Sequence, residues 1–401
     1  MQVYLDNNAT TMVDPEVLEA ILPFFTGRYG NPSSIHSFGG SVGSEIQKAR
    51  ERVAGFLGAD HDYEIVFTGT GTESDNLAIS GTIAYYTNKK HIITSRVEHP
   101  AVVALCNKLE RDGYRITHVP VDRNGTLDLE YLMDSVDDDT AIVSIMYANN
   151  ETGVIFPVEK IGAFLRERGV PFHVDAVQAA GKVPIDVNRI NCDLLSISGH
   201  KFHAPKGVGV LYVRRGTRIR PILYGGHQEK GRRPGTENVP GIVGIGKAAE
   251  MAAAHLSRPG EMKKMASMRD RLEKTVLGMF KNSMLNGSAE NRVPNTTNIG
   301  FEFIEGEAIL LYLDQAGVSA SSGSACSSGS LEPSHVLRAM GVPFTSAHGS
   351  IRFSLSRFTT GEEIDYVISV IPGIVNRLLE ISPYWDSAKQ EPAPVNLQAK
   401  T

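Results

Sequence analysis

Short β-rich runs alternate with segments of helical length from about residue 60 to residue 213, which predicts an α/β protein with a mostly parallel seven-stranded sheet in a large domain. After about residue 240 long helical segments and a few isolated strands take over, which predicts a second, smaller α+β domain. A third feature is the run SASSGSACSSGS (319–330), in which Cys326 stands among Ser, Gly and Ala alone. That composition gives the backbone freedom and leaves one strong nucleophile without bulky neighbours, although a plain connector with an incidental cysteine has the same look.

The strand candidates are EIVFT (64–68), HIITS (91–95), RITHV (115–119), AIVSIMY (141–147), FHVD (172–175), DLLSIS (193–198) and VGVLYV (208–213). Each is rich in β-branched or aromatic residues, and helical patterns such as 101–112 and 158–168 fill most of the gaps. Ligands of an open parallel sheet bind beyond the carboxyl ends of its strands, so chemistry is expected just after each run. Further on, 239–255, 262–280 and 305–316 read as helices, TTNIGF (296–301) and IRFSLS (351–356) as strands. The expected division is a large domain at 16–257 and a small one from 1–15 and 258–385, the latter carrying the cysteine loop at 319–330. Residues 386–401 hold two prolines and little apolar content, so disorder is expected there.

At 401 residues the chain can bury a large core. A formal net charge of -5 gives no electrostatic footprint for nucleic acid or an anionic membrane, and RRGTRIR (214–220) reads as solvated surface. No apolar run approaches the ~20 residues of a membrane span, and MQVYLDNNATT lacks the basic start and apolar core of a signal peptide. A cytoplasmic location is therefore expected. Cys106, Cys192 and Cys326 are too scattered for a disulfide framework and lack the CxxC spacing of a zinc site, which fits a reducing compartment.

EIVFT runs into GTGTESDNLAI, a Gly-rich turn and a helix opened by Thr72 and Glu73. Free N–H groups at a helix start attract an anion and Gly71 allows close approach, but Thr72 with Asp75 also reads as a plain helix cap. FHVD ends in Asp175, with Gln178 three residues on; the acid is either an edge charge or the partner of a cationic ring nitrogen. DLLSIS leads through Ser198, Gly199 and His200 to Lys201, a surface lysine or, once partly buried, a Schiff-base former. A phosphate turn, an acid and a lysine 26 residues later are together the groups that pyridoxal phosphate requires. His99, after another strand, suits packing or ring stacking with proton transfer, and Asn150 suits a polar turn or a cofactor or substrate contact. His200 and His203 have no third ligand at useful spacing, so no intrinsic metal site is expected.

The segments YLDNNATT (4–11), GNPSSIHSFG (30–39), TES, EHP, NNETG, HVDAVQAAGK (173–182), SGHKFHAPKGVG (198–209), GGHQEKGRRPGTEN (225–238) and SSGSACSSGSLEPSHVLRAMG (321–341), taken in order, resemble the group I cysteine desulfurases. YANNETG and GGHQEKGRR look closest to the nitrogen-fixation, or NifS, type. The resemblance implies a fold type I pyridoxal-phosphate enzyme acting as a homodimer. It implies a Schiff base at Lys201, a pyridinium partner at Asp175, ring stacking by His99 and cofactor contacts from Asn150 and Gln178. Gly71, Thr72, Ser198, Gly199 and His200 would hold the phosphate, with Thr236 reaching in from the other subunit, while Arg352 and Asn150 would meet the substrate. L-cysteine would become L-alanine, its sulfur passing as a persulfide on Cys326 to an iron–sulfur scaffold protein; Cys326 would contact metal only through a nascent cluster. An aminotransferase on the same fold has no use for the loop thiol, and a catalytically silent assembly partner has no use for Lys201 and Cys326 together.

Overall fold

The computed structural model describes residues 1–322, 333–386, 389 and 391–393, so Cys326 and most of the 319–330 loop lie outside the described residues. The large sheet has seven strands in the spatial order Ile65–Thr68, Gly209–Val213, Leu194–Ser198, Phe172–Asp175, Thr140–Met146, His91–Ser95 and Arg115–Val119. All run in one direction except Gly209–Val213, which is antiparallel to both neighbours. The inner strands are buried along their whole length, as strands covered by helices on both faces must be, whereas the edge strand Arg115–Val119 is largely open. Thr68, Ser95, Met146, Asp175 and Ser198 therefore end their strands along one rim of the sheet.

The helix Ser37–Leu57 has no counterpart in the sequence reading, because its glycine-rich start, SFGGSVG, looks like a turn. Its buried residues Val42, Ile46, Ala49, Val53 and Leu57 follow helical spacing and face the helix Val239–Ser257. The two helices approach so closely that a Cβ on Gly246 would stand 2.6 Å from the Ala49 Cα.

A second core gathers Leu272 and Val276 of the helix Glu261–Met279 and Ile364, Val367 and Val375 of the helix Gly361–Ile381. These cover a three-stranded antiparallel sheet ordered Ser350–Ser354, Thr296–Phe301, Ser283–Leu285. Val3 and Leu5 belong to this core, and Val3–Tyr4 pairs parallel with Val318–Ser319. Val336, Leu337 and Met340, by contrast, pack into the core of the large sheet. The chain start bridges the two: Asp6 pairs with Ser354, and Thr11 N donates to His200 O at 2.9 Å. In the tail read as disordered from residue 386, Trp385–Asp386 and Glu391–Pro392 form a short hairpin, with the Trp385 ring against Phe303. No helix among the described residues is long and apolar enough to cross a membrane.

Candidate active site

The helix Gly71–Tyr85 begins directly beyond the strand Ile65–Thr68. Thr70 caps it, its hydroxyl accepting from Glu73 N at 3.0 Å, so the cap is not the Thr72 and Asp75 pair. Gly71 is in the first turn, where a Cβ would lie 2.9 Å from Val177 Cγ2 and 3.2 Å from Ser198 Cβ. Backbone N–H groups at this start thus face a cavity of about 310 Å³, within the usual size of small-molecule sites.

Gly71, Thr72, His99, Asn150, Asp175, Gln178, Ser198, His200 and Lys201 all line that one cavity. Asp175 is buried and accepts from Val177 N at 2.9 Å. Burial pushes its carboxyl up to about 6, against the backbone hydrogen bond and Lys201, which pull it down. A cationic ring nitrogen beside it would keep it ionised. Lys201 Nζ donates to the main-chain oxygens of Asn8 (2.6 Å) and Ala9 (2.9 Å). His99 caps the helix Pro100–Arg111 by accepting Ala101 N on Nδ1 at 3.1 Å, which leaves the neutral ring its proton on Nε2. Burial, then Lys201 and His335, push that imidazole down to about 4. His200, pushed down to about 4 by burial and three lysines, is likewise neutral beside the helix start.

Gly199 is outside the lining but shapes it: a Cβ there would sit 3.0 Å from both Ala204 and Val208. Thr236 lines a different pocket of about 140 Å³, beside Arg233 and Gln228, and is not brought to the cavity by its own chain. Arg352 reaches the rim by donating to Asn150 O at 2.9 Å and to Asp6 Oδ1 at 2.8 Å. Its buried Nε has no hydrogen-bond partner among the described residues.

Several groups at the site carry no sequence-level expectation. Ser334 donates to Glu151 Oε2 at 2.5 Å and His335 Nε2 to Glu98 O at 2.9 Å, which pins the chain just after the cysteine loop against the large sheet. Behind Asp175, the fully buried His173 bonds Ser144 at 2.8 Å and Ser196 at 2.9 Å, with Asp75 3.6 Å from its Nε2. Burial pushes His173 down to about 3 and, with the Asp175 charge, the Asp75 carboxyl well above the usual carboxylate range. The EHP and HVD motifs contain two of these residues, Glu98 and His173, but a motif does not say which member faces inward.

The residues fit pyridoxal phosphate: a helix start with hydroxyls, a desolvated carboxyl and a lysine amine all line the one cavity. Residues 3–367 match the Aminotransferase class-V family. A cysteine desulfurase of Trichormus azollae is 60% identical over 95% of each chain. Cysteine desulfurase NifS of Azotobacter vinelandii is 56% identical over 96% of this chain and 95% of its own, in line with the NifS-type resemblance. Among solved structures, a NifS-like protein aligns with a TM-score of 0.88 and 40% identity, over 94% of this chain and 100% of that one. The chain belongs to the class-V aminotransferase family and, within it, to the pyridoxal-phosphate-dependent cysteine desulfurases.

Proposed function

We propose that the protein converts L-cysteine to L-alanine and hands the sulfur, carried as a persulfide on Cys326, to an iron–sulfur scaffold protein serving nitrogenase maturation. The observation that carries this reading is the convergence of Lys201, Asp175, His99 and the Gly71 helix start on one cavity. Lys201, Asp175 and the helix start would hold pyridoxal phosphate there, and when bound it would supply an electron sink. The balance is one thiol plus cysteine giving one persulfide plus alanine: the S–S bond forms as the C–S bond breaks, and the carbon that loses sulfur takes a proton.

The side chains divide the remaining work. Arg352 meets the substrate carboxylate with a guanidinium already oriented by Asp6 and Asn150 O. His99, neutral with its proton on Nε2 at neutral pH, offers the cavity it lines a hydrogen-bond donor. Of the three thiols, Cys106 and Cys192 are buried, and burial pushes Cys106 up to about 12 and Cys192 higher still, so neither is a nucleophile. Cys326, outside the described residues, follows Ser321 by five positions in sequence, and the Ser321 main-chain oxygen accepts from Arg352 N at 2.6 Å.

The working unit is a homodimer in the cytoplasm. In support, Phe25, Tyr29, Ile35, Phe38 and Tyr224 expose large apolar side chains, and Thr236 does not line the cavity of its own chain. Incubation with L-cysteine and a reductant tests the activity: alanine and sulfide appear in equal amounts, and without reductant the Cys326 peptide gains the mass of one sulfur atom. Neither product from cofactor-loaded protein overturns the reading.

A further inference from the structure

Lys182 is a buried lysine with no role in the scheme above; its residue is 7% exposed. Its Nζ donates to Gln178 Oε1 at 2.5 Å and to Asn8 Oδ1 at 3.2 Å. Among the described residues no carboxylate lies within ion-pair distance of it, while Lys201 and Arg352 act on it with like charge. Burial and those two cations hold its amine well below the usual lysine range. A neutral amine has two N–H donors, which matches the two acceptors present.

Both acceptors belong to amides whose direction matters. With Oε1 held by Lys182, the Gln178 amide cannot flip; its Nε2 donates to Asn8 O at 2.9 Å and keeps a second N–H on the cavity it lines. Asn8 is saturated. Its Oδ1 accepts from Lys182 and from Asn295 at 3.1 Å, and its Nδ2 donates to Asn150 O at 3.2 Å and Thr296 Oγ1 at 2.9 Å. The main-chain oxygen of the same residue accepts from Lys201. Lys182 and Lys201 also border a small cleft of about 30 Å³, room for a water molecule.

We propose that Lys182 is a positioning residue: by donating to two amides at once it turns a Gln178 N–H toward the cofactor cavity and holds the Asn8 carbonyl where Lys201 rests. The inference depends on the pyridoxal-phosphate reading above. It makes Lys182 act through Gln178 and not by contact with the cofactor.

The test is a double-mutant cycle on the full chain, with pyridoxal phosphate titrated into cofactor-free protein. Lys182→Met keeps the length and removes the donors; Gln178→Ala removes the oriented amide. The expected result is that Lys182→Met binds the cofactor about tenfold more weakly, and that adding Lys182→Met to Gln178→Ala costs less than a further twofold. Penalties that multiply, or wild-type affinity in Lys182→Met, overturn the inference. Should Lys182→Met not fold by circular dichroism, Lys182→Leu, which also lacks the donors, goes through the same cycle against the same criterion. A wild-type chain that takes up no pyridoxal phosphate defeats the functional reading instead, so the two failures are distinct.

Discussion

Gly71→Ala is the smallest change that bears on the phosphate end of the site. The added methyl would stand 2.9 Å from Val177 Cγ2 and 3.2 Å from Ser198 Cβ, against the 3.5–4.0 Å of an ordinary carbon contact, so atoms must separate by roughly 0.6–1 Å. Overpacking of that size costs ~1–3 kcal/mol. Helix propensity works in the other direction, since alanine is favoured over glycine by about 1 kcal/mol in a helix interior, so global stability changes little. The displacement falls on Val177, whose N–H holds Asp175, and on Ser198 at the cavity wall, so the loss appears in cofactor binding. Pyridoxal phosphate titrated into cofactor-free Gly71→Ala should bind about 10–100-fold more weakly, the equivalent of ~1.4–2.8 kcal/mol. Val177→Ala removes the nearest atom, so the double variant should recover most of the affinity. Wild-type affinity in Gly71→Ala, or no recovery on trimming Val177, refutes the claim that the close approach at Gly71 shapes the site.

Cys326→Ala should keep cofactor absorbance and its change on adding L-cysteine but release no alanine or sulfide; turnover at the original rate removes Cys326 from the nucleophile's role. Lys201→Ala should lose the cofactor attachment that borohydride makes permanent, which peptide mapping of the reduced protein reads directly. Glu98 is buried, and burial pushes its carboxyl up to about 8, so the folded chain keeps a proton that the unfolded chain gives up near pH 4.5. Its stability contribution is therefore complete below that pH and disappears as pH rises toward 8; the difference in unfolding free energy between wild type and Glu98→Gln should fall across that window, and a flat difference contradicts it. In the smaller core, Glu273 holds the buried Arg292 through bonds of 2.5 and 2.8 Å and accepts from Thr297 at 2.6 Å. Glu273→Ala leaves that buried guanidinium only the 3.4 Å contact to Asp270 and should cost ~3 kcal/mol in denaturant unfolding, with Glu273→Leu/Arg292→Met recovering most of it.

The sheet was legible because each strand is a compact run of β-branched and aromatic residues, and because parallel topology sends the next functional residue to the rim right after the run ends. That is how Asp175 after FHVD, His99 after HIITS and Lys201 after LLSIS could be placed in one region before any coordinates. Ser37–Leu57 was not legible, since the glycines of its start read locally as a turn. Cys326 is known through sequence and family alone. Thr236 shows a different limit: it lines another pocket of its own chain, and its expected place at a partner's cavity rests on the family resemblance alone.

The least legible part of the site is its set of main-chain acceptors. Lys201 rests on the oxygens of Asn8 and Ala9, Arg352 on that of Asn150 and His335 on that of Glu98. Every residue has such an oxygen, so no residue type announces it, and each of these donors is more than a hundred residues from its acceptor. What the sequence can show is the donor. A lysine in AAGK, taken alone, is a surface charge; once the chain start is laid across the rim, it has Gln178 and Asn8 as partners and, among the described residues, no carboxylate within ion-pair distance. The strap from Asp6 to Thr11 therefore does more than join two cores: by bonding Arg352, Lys182, Lys201 and His200 in turn, it sets the substrate clamp and the cofactor lysine from a single stretch of backbone.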